Sequence, residues 1–201
     1  MKGVFVTGTD TGIGKTMVSA WLVRSWSADY WKPVQSGIAD GADADVVRQV
    51  APGVVIHPST HTLTQPLSPH EAARRDGVTI TLGDFHLPET TRTLVIEGAG
   101  GALVPLNDTD LMVDLMARLG LPLVVVARSG LGTINHTLLT LEALKARALP
   151  VAGVIMSGTP NDANRKAIEH FSGLPVVGQL PLLDGAAGLR DYPPLAWRPN
   201  V

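Results

Sequence analysis

The residues best suited to chemistry lie near the amino terminus, in segment 6–16, which reads VTGTDTGIGKT. Its glycines allow backbone N–H groups to turn inward around an anion, and the lysine that follows supplies a mobile positive charge for β- and γ-phosphates. The hydroxyl of Thr16 is a group that Mg²⁺ accepts as a ligand. The usual G-x-x-x-x-G-K-[ST] spacing would place glycine at position 9, where this chain has Thr9 and carries Gly8 instead. The segment still predicts a site for nucleotide phosphates.

Two further polar groups follow predicted strands and are suited to phosphate chemistry. Lys32 and Ser36 lie in YWKPVQSG at 30–37. Glu97 follows the apolar run 93–96 and is the first residue of the glycine-rich stretch EGAGG. Ligands of open parallel sheets bind beside the carboxyl ends of the strands, so we expect these side chains to meet the phosphate segment. The alternatives are a solvated surface lysine and an incidental glutamate in a glycine turn.

Three aspartates, Asp40, Asp43 and Asp45, precede a predicted short helix in the stretch 39–50. Acidic residues stabilise the positive amino-terminal end of a helix, which accounts for two of them. The third is a candidate Mg²⁺ ligand, and the residue types alone do not choose among the three. A second anion-binding helix start is predicted at 130–136, although simple capping by a threonine or asparagine fits that stretch equally well.

The elements that must position these residues alternate along the chain. Apolar runs predict strands at 4–6, 30–34, 93–96, 121–127, 151–156 and 176–180. Helical spacing predicts helices at 15–27, 110–119 and 162–171, a short helix after the aspartates of 39–50, and a helix that follows 130–136 and ends at about 147. A helix-like EAARR lies within the loop-rich segment 52–88. Such alternation indicates one α/β domain over 1–201, a mostly parallel sheet with helices on both faces, with an irregular tail at 182–201.

Composition excludes several classes of function. A net charge of −2 gives no electrostatic case for binding nucleic acid or an anionic membrane. The chain has no cysteine, so disulfides, thiolate metal sites and cysteine nucleophiles are excluded. The longest apolar run, 121–127, is far shorter than the roughly 20 residues of a membrane-spanning helix, and MKGVFVTG is too short for a signal peptide. We expect a cytoplasmic protein.

Four separated stretches together resemble the dethiobiotin synthase family: VTGTDTGIGKT (6–16), KPVQSG (32–37), VIEGAGG (95–101) and GLGTINH (130–136). The resemblance implies a single-domain P-loop NTPase-like fold and an ATP- and Mg²⁺-dependent carbon–nitrogen cyclo-ligase of biotin biosynthesis. The implied substrates are 7,8-diaminononanoate, CO₂ and ATP; one amine forms a carbamate, ATP phosphorylates it, and the second amine closes the ring. A homodimer with a shared active site is implied as well.

The resemblance also assigns roles to residues of this chain. The catalytic groups around the carbamate and γ-phosphate are Thr11, Lys15, Lys32 and Ser36. The Mg²⁺ ligands are Thr16, Asp45 and Glu97, which selects Asp45 among the three aspartates. The groups that hold the substrate are Ser36 and Gly100, together with Gly132, Thr133, Ile134 and Asn135 of the other subunit. The nucleotide site comprises Asp10, Thr11, Gly12, Ile13, Gly14, Lys15, Thr16, Met17, Glu97, Gly98, Gly100, Ser157, Pro181 and Leu182.

One position departs from the family pattern. Many members carry an asparagine after the sixth strand to bind adenine, and this chain has Ser157 there. A hydroxyl on a short side chain is a less selective hydrogen-bonding group than an amide. We therefore hypothesise that base selectivity is relaxed and that other nucleoside triphosphates are accepted.

The rival interpretation is a partition- or septum-positioning ATPase, which uses the same kind of fold as a nucleotide switch. Those proteins carry a signature lysine in the phosphate loop, at the position of Asp10 in this chain. They also need a DNA- or membrane-binding surface, and no basic amphipathic helix is predicted in this sequence. The sequence therefore favours the ligase.

Overall fold

The computed structural model describes residues 2–199, and the side chain of Asp40 lies outside what it describes. In that range the strands are β1 (Gly3–Gly8), β2 (Asp29–Trp31), β3 (Val34–Gln35), β4 (Ile56–His57), β5 (His61–Thr62), β6 (Leu94–Glu97), β7 (Leu123–Arg128), β8 (Val151–Ser157) and β9 (Val176–Leu180). The helices are α1 (Lys15–Trp26), α2 (Asp43–Val50), α3 (Pro69–Asp76), α4 (Met112–Leu119), α5 (Thr133–Lys145), α6 (Asp162–Ser172) and α7 (Gly185–Asp191). Of the helices in this range, none is both long and apolar enough to cross a membrane.

Seven of the strands form one sheet in the order β4–β2–β6–β1–β7–β8–β9, and each neighbouring pair is parallel. The central strand β1 aligns Val6 with Glu97 of β6 and Gly8 with Val126 of β7. Because the strands run in one direction, their carboxyl ends share one edge of the sheet. That edge therefore carries both the glycine segment after β1 and the glutamate that ends β6.

The sheet is buried on both faces. Val4 and Val6 of β1 belong to one apolar cluster with residues of α1, α2 and α7, whereas Phe5 belongs to a second cluster with residues of α4, α5 and α6. Successive side chains of a strand point to opposite faces, so each face of the sheet has its own layer of helices. The predicted α/β architecture, with helices on both faces of a parallel sheet, is confirmed.

Two predicted segments differ from the structure. The strand predicted at 30–34 is divided at Pro33: β2 belongs to the main sheet, whereas β3 pairs with β5 in a separate two-stranded sheet. Proline has no N–H with which to continue a ladder. The predicted irregular tail, 182–201, contains α7, and residues 200–201 lie outside the described part. Trp26 donates its indole N–H to the Trp197 carbonyl at 3.0 Å, so the tail packs on α1.

Candidate functional site

The phosphate segment forms the connection between β1 and α1. Gly12 and Gly14 have φ values of 66° and 94°, a left-handed conformation that glycine adopts without strain. A Cβ on Gly14 would lie 2.5 Å from the Ser157 hydroxyl oxygen, so this position also has no room for a side chain. Gly14 caps α1, and no side chain in the described structure accepts a hydrogen bond from the first-turn amides. Unpaired amides at a helix start bind anions.

Lys15, the first residue of α1, is buried against this connection. Its Nζ donates to the carbonyl oxygen of Asp10 at 2.8 Å. Burial lowers the pKa of Lys15 to about 8; the carboxylate of Glu97 opposes this shift and the ammonium of Lys32 adds to it. The ammonium form still predominates at neutral pH, and an anionic phosphate beside it would stabilise that form further.

Three oxygen-bearing side chains from three elements converge beside Lys15. The Thr16 hydroxyl oxygen lies 2.6 Å from Asp43 Oδ1 and 2.9 Å from Glu97 Oε1. A hydroxyl has one proton, so it donates to only one of these carboxylates at a time. Hard oxygen donors of this kind suit Mg²⁺, which is usually held by one or two carboxylates together with waters and substrate phosphates. The donor set therefore fits a magnesium ion bound with a triphosphate.

Lys32 lies between the same two carboxylates. Its Nζ is 2.7 Å from Asp43 Oδ2 and 3.1 Å from Glu97 Oε1. Burial, the largest influence, lowers the pKa of Lys32, but the charges of Glu97 and Asp43 and their hydrogen bonds outweigh it, and the pKa is raised overall. Lys32 is therefore a buried, permanently charged cation, and the alternative of a solvated surface lysine is wrong.

Asp45, the predicted metal ligand on α2, does not lie beside the other two predicted ligands, Thr16 and Glu97. Asp45 is 56% exposed and forms an ion pair with Arg48, with 2.5 Å between Oδ1 and Nη1. Asp43, two residues earlier, contacts Thr16 and Lys32 instead. Positions two apart on a helix are separated by about 200°, so the two carboxylates face opposite sides of α2. Asp43 is the aspartate beside the phosphate segment.

Asp43 is held in place by neighbours on both sides. Its backbone N–H donates to Gln35 Oε1 at 3.2 Å, which fixes the start of α2 against β3. Burial by itself raises the pKa of Asp43, but the Lys32 ammonium and the hydrogen bonds from Lys32, Thr16 and Gln35 outweigh it and lower the pKa overall. The group is therefore ionised at neutral pH, as a metal ligand must be.

A cavity of about 570 Å³ opens beside these residues. All four predicted catalytic residues line it, namely Thr11, Lys15, Lys32 and Ser36. Gly100, predicted to hold the substrate, and the phosphate-segment residues Gly12, Gly14, Thr16 and Met17 line it too. The Ser36 hydroxyl oxygen is buried and has no hydrogen-bond partner among the described residues. A buried polar atom of that kind is normally satisfied, so Ser36 has a hydrogen bond to offer a ligand.

The predicted substrate residues at the start of α5 do not line this cavity. Gly132 caps the helix with a φ of 88°, and in the described chain no side chain caps it, so the alternative of capping by Thr133 or Asn135 is wrong. Thr133 instead donates its hydroxyl to the carbonyl of Arg128, at the end of β7. Ile134 is half-buried and Asn135 is exposed.

Several predicted nucleotide-site residues do not line the cavity: two of them lie within the phosphate segment and the others lie outside it. Ile13 packs so closely over Gly8 that a Cβ there would be 2.4 Å from the isoleucine side chain. Gly98 donates its N–H to the Val6 carbonyl at 2.9 Å, which joins the loop after β6 to β1. Ser157 ends β8 beside Gly14. The remaining members are Asp10, which binds Lys15 and Thr11, and the pair Pro181 and Leu182 after β9.

The sequence interpretation missed two residues that form hydrogen bonds with Glu97 and Asp43, namely Tyr30 and Gln35. Tyr30 donates its hydroxyl to Glu97 Oε2 at 2.9 Å, and Gln35 accepts from the amide of Asp43. Gln35 lies within KPVQSG, so the motif itself was the available signal. Tyr30 lies on β2, a neighbour of β6, and only the order of strands in the sheet brings it beside Glu97.

Two solved structures superpose on this chain over most of its length. A ParA family ATPase from Chlorobium tepidum superposes with a TM-score of 0.60 at 14% identity, covering 94% of this chain and 89% of that one. The MinC:MinD cell division complex of Aquifex aeolicus contains a chain that superposes with a TM-score of 0.51 at 10% identity, covering 90% and 81%. At these identities the likeness concerns the fold alone. Together with the site geometry, it defines a P-loop NTPase domain.

Sequence comparison is more specific. The family model AAA_26, described as an AAA domain, matches residues 2–188. The ATP-dependent dethiobiotin synthetase of Paramagnetospirillum magneticum is 58% identical over 96% of both chains, and that of Brucella ovis is 49% identical over 90% of this chain and 86% of that protein. The bifunctional biotin biosynthesis protein BioCD of Bordetella avium is 56% identical over 91% of this chain and 40% of its own length. The chain belongs to the dethiobiotin synthetase family.

Proposed function

We propose that this protein is an ATP-dependent dethiobiotin synthetase, a carbon–nitrogen cyclo-ligase that closes the ring of dethiobiotin in biotin biosynthesis. Membership of the family supports the overall reaction. The observation that carries the assignment to this site is the juxtaposition of Lys32 and the unpartnered Ser36 hydroxyl with the phosphate segment in one cavity. A nucleotide switch needs the phosphate segment, whereas a buried lysine and a free hydroxyl beside it suit a second, anionic reactant.

The reaction proceeds in three balanced steps. One amine of 7,8-diaminononanoate attacks CO₂, forms an N–C bond and loses a proton, which gives a carbamate. A carbamate oxygen attacks the γ-phosphorus of ATP and ADP leaves, which gives a carbamic–phosphoric anhydride. The second amine then attacks the carbonyl carbon and loses a proton, phosphate leaves, and the five-membered ring is closed. No protein nucleophile takes part, so positioning and charge stabilisation are the tasks of the chain.

The residues of the cavity are suited to those tasks. Lys15 and the amides at the start of α1 bind the β- and γ-phosphates, and Lys32 with Ser36 binds the carbamate. Thr16, Asp43 and Glu97 would hold Mg²⁺, which neutralises phosphate charge when it is bound. Within the described part of the chain, no cluster of three or more carboxylate and histidine side chains offers a complete metal site. That fits an ion held jointly by the chain and the triphosphate.

We propose further that the protein is a homodimer in which the start of α5 completes the cavity of the partner. Gly132 to Asn135 lie outside the cavity of their own chain. Next to them Leu131 is fully exposed and Leu139 is 56% exposed. Exposed apolar residues beside an exposed functional segment favour a protein interface. The amides at the start of α5 would then receive the substrate carboxylate.

Phosphate release tests the ligase directly. We expect release from MgATP to require both 7,8-diaminononanoate and bicarbonate, and dethiobiotin to appear by mass spectrometry. Slow release that is indifferent to the diamine would indicate a switch-type ATPase instead. An ATP-consuming biosynthetic reaction of this kind also supports a cytoplasmic location.

Mixing two inactive variants tests the shared site. Lys32→Ala removes a cavity residue and Asn135→Ala a donated one, so a mixed dimer contains one intact site; an equal mixture should recover about a quarter of the wild-type activity. Mixing Lys32→Ala with Ser36→Ala should recover none, because both changes affect the same side of the site. Recovery in neither mixture would contradict the proposed dimer.

A further inference from the structure

The carboxylate of Glu97 has a partner on each oxygen. Oε1 lies 2.9 Å from the Thr16 hydroxyl and 3.1 Å from Lys32 Nζ, on the side of the cavity. Oε2 accepts a hydrogen bond from the Tyr30 hydroxyl at 2.9 Å, on the side away from it. Both Tyr30 and Glu97 are essentially inaccessible to solvent. No role in the reaction proposed above requires Tyr30, and no sequence motif contains it.

Tyr30 is a rigid donor. Its side chain belongs to the buried apolar cluster that also contains Val6 of β1 and Val18 of α1. It lies on β2, which runs parallel to β6 and aligns Tyr30 with Val95, two residues before Glu97. A donor fixed in this way restricts rotation of the carboxylate it binds.

We propose that Tyr30 is a positioning residue for metal binding: it holds Oε2 of Glu97 so that Oε1 stays directed at the point where Thr16 and Asp43 converge. The effect of Tyr30 on the Mg²⁺ requirement of the reaction rests on the function proposed above. Its effect on the affinity for a divalent cation does not. Hydrogen bonds that orient a metal ligand commonly change metal affinity by about 10- to 100-fold.

The direct test is Tyr30→Phe, which removes the hydroxyl and keeps the ring. Mn²⁺ binding is titrated by electron paramagnetic resonance in the presence of a non-hydrolysable ATP analogue. We expect the Kd for Mn²⁺ to rise about tenfold. Tyr192→Phe is the matched control, because its hydroxyl donates to the Gln179 carbonyl at 3.4 Å, away from the carboxylates; it should bind Mn²⁺ like the wild type.

A double-mutant cycle separates positioning from packing. If Tyr30 acts through Glu97, then Tyr30→Phe combined with Glu97→Gln should bind Mn²⁺ no more weakly than Glu97→Gln alone. Unchanged Mn²⁺ affinity in Tyr30→Phe, or fully additive losses in the double variant, would overturn the proposal. Thermal unfolding of each variant checks that the fold is retained.

Steady-state kinetics extends the test to the reaction. In Tyr30→Phe the Mg²⁺ concentration for half-maximal phosphate release should rise about tenfold, with an unchanged KM for the diamine. A raised diamine KM at an unchanged Mg²⁺ requirement would overturn the positioning role. If the wild-type protein shows no diamine-dependent release, the proposed function fails, and the Mn²⁺ titrations still decide the role of Tyr30.

Discussion

Replacement of either aspartate of α2 by asparagine distinguishes the two candidate metal ligands. Asp43→Asn and Asp45→Asn remove the same charge from the same helix, two positions apart, and both keep the shape of the side chain. Asp43 contacts Thr16 and the buried ammonium of Lys32, whereas Asp45 forms an ion pair with Arg48 at the surface. We expect Asp43→Asn to abolish most of the activity and Asp45→Asn to leave it unchanged.

The contacts set the size of each effect. Breaking a buried ion pair costs about 3–5 kcal/mol of unfolding free energy, and one hydrogen bond to a charged group about 1.5–3 kcal/mol. In Asp43→Asn the Lys32 ammonium keeps Glu97 as a partner, and the Asp43 side chain is already 30% exposed, so the lower end applies. We therefore expect a loss of about 2 kcal/mol, or roughly 4–8 °C in Tm for a domain of this size. An exposed pair such as Asp45–Arg48 contributes about 0–1 kcal/mol.

Activity should separate the two variants more widely than stability. Loss of a group that stabilises transferring phosphoryl charge lowers kcat/KM by about 10²- to 10³-fold, or about 3–4 kcal/mol. The assay is phosphate release with diamine and bicarbonate across a Mg²⁺ titration, with thermal unfolding of each variant measured in parallel. Full activity in Asp43→Asn together with a large loss in Asp45→Asn would refute the assignment. Equal losses in both would mean that net charge, and not contact with Thr16, determines the effect.

Three more predictions follow from single residues. The pKa of Lys15 is lowered to about 8, below its unfolded value, so the cost of its buried charge is fully present below pH 8 and disappears as pH rises towards 10.5. ADP affinity, measured by calorimetry, should therefore fall between pH 7 and 9. Lys15→Met should raise the Tm at pH 7 and should remove the pH dependence of ADP affinity. A wild-type ADP affinity that stays constant with pH would contradict the prediction. Gly14→Ala should weaken ATP binding at least about tenfold, because the residue has a positive φ and the added Cβ would clash with the Ser157 hydroxyl. Gly130→Ala should bind ATP like the wild type, because open space surrounds the added Cβ. If Ser157 relaxes base selectivity, kcat/KM for ATP, GTP and CTP should agree within about tenfold; a strict preference for ATP would contradict the hypothesis.

The fold was largely predictable because the central strands β6, β1 and β7 are buried along nearly their whole length and therefore have mostly apolar sequences. The run 121–127 is an example, and β7 occupies most of it. The division of 30–34 was not predicted, although Pro33 marks it, because the pairing of β3 with β5 joins segments that are far apart in sequence. The order of strands in the sheet also depends on pairings between distant segments, and the local pattern of apolar residues does not predict which strands pair.

The site was predictable where a single sequence motif both contains the residue and determines its position in the fold. Thr16 is the last residue of the phosphate segment, and that segment determines its position in the first turn of α1. Asp43 was not identified, because the choice between it and Asp45 depends on the rotation of α2 about its axis. Contacts with Gln35 and Lys32, which lie in other parts of the chain, determine that rotation.

The two lysines of the cavity show how partners, and not burial, determine their different roles. Both Lys15 and Lys32 are 7% exposed. Lys15 donates to a carbonyl dipole, and its pKa is lowered to about 8; Lys32 faces two full negative charges, and its pKa is raised. A bound phosphate would stabilise the ammonium of Lys15 more than that of Lys32, because Lys15 has a neutral carbonyl group as its hydrogen-bond partner whereas Lys32 already faces two carboxylates. In the proposed reaction, nucleotide binding would therefore stabilise the charge of Lys15, whereas Lys32 would already be charged when the carbamate binds.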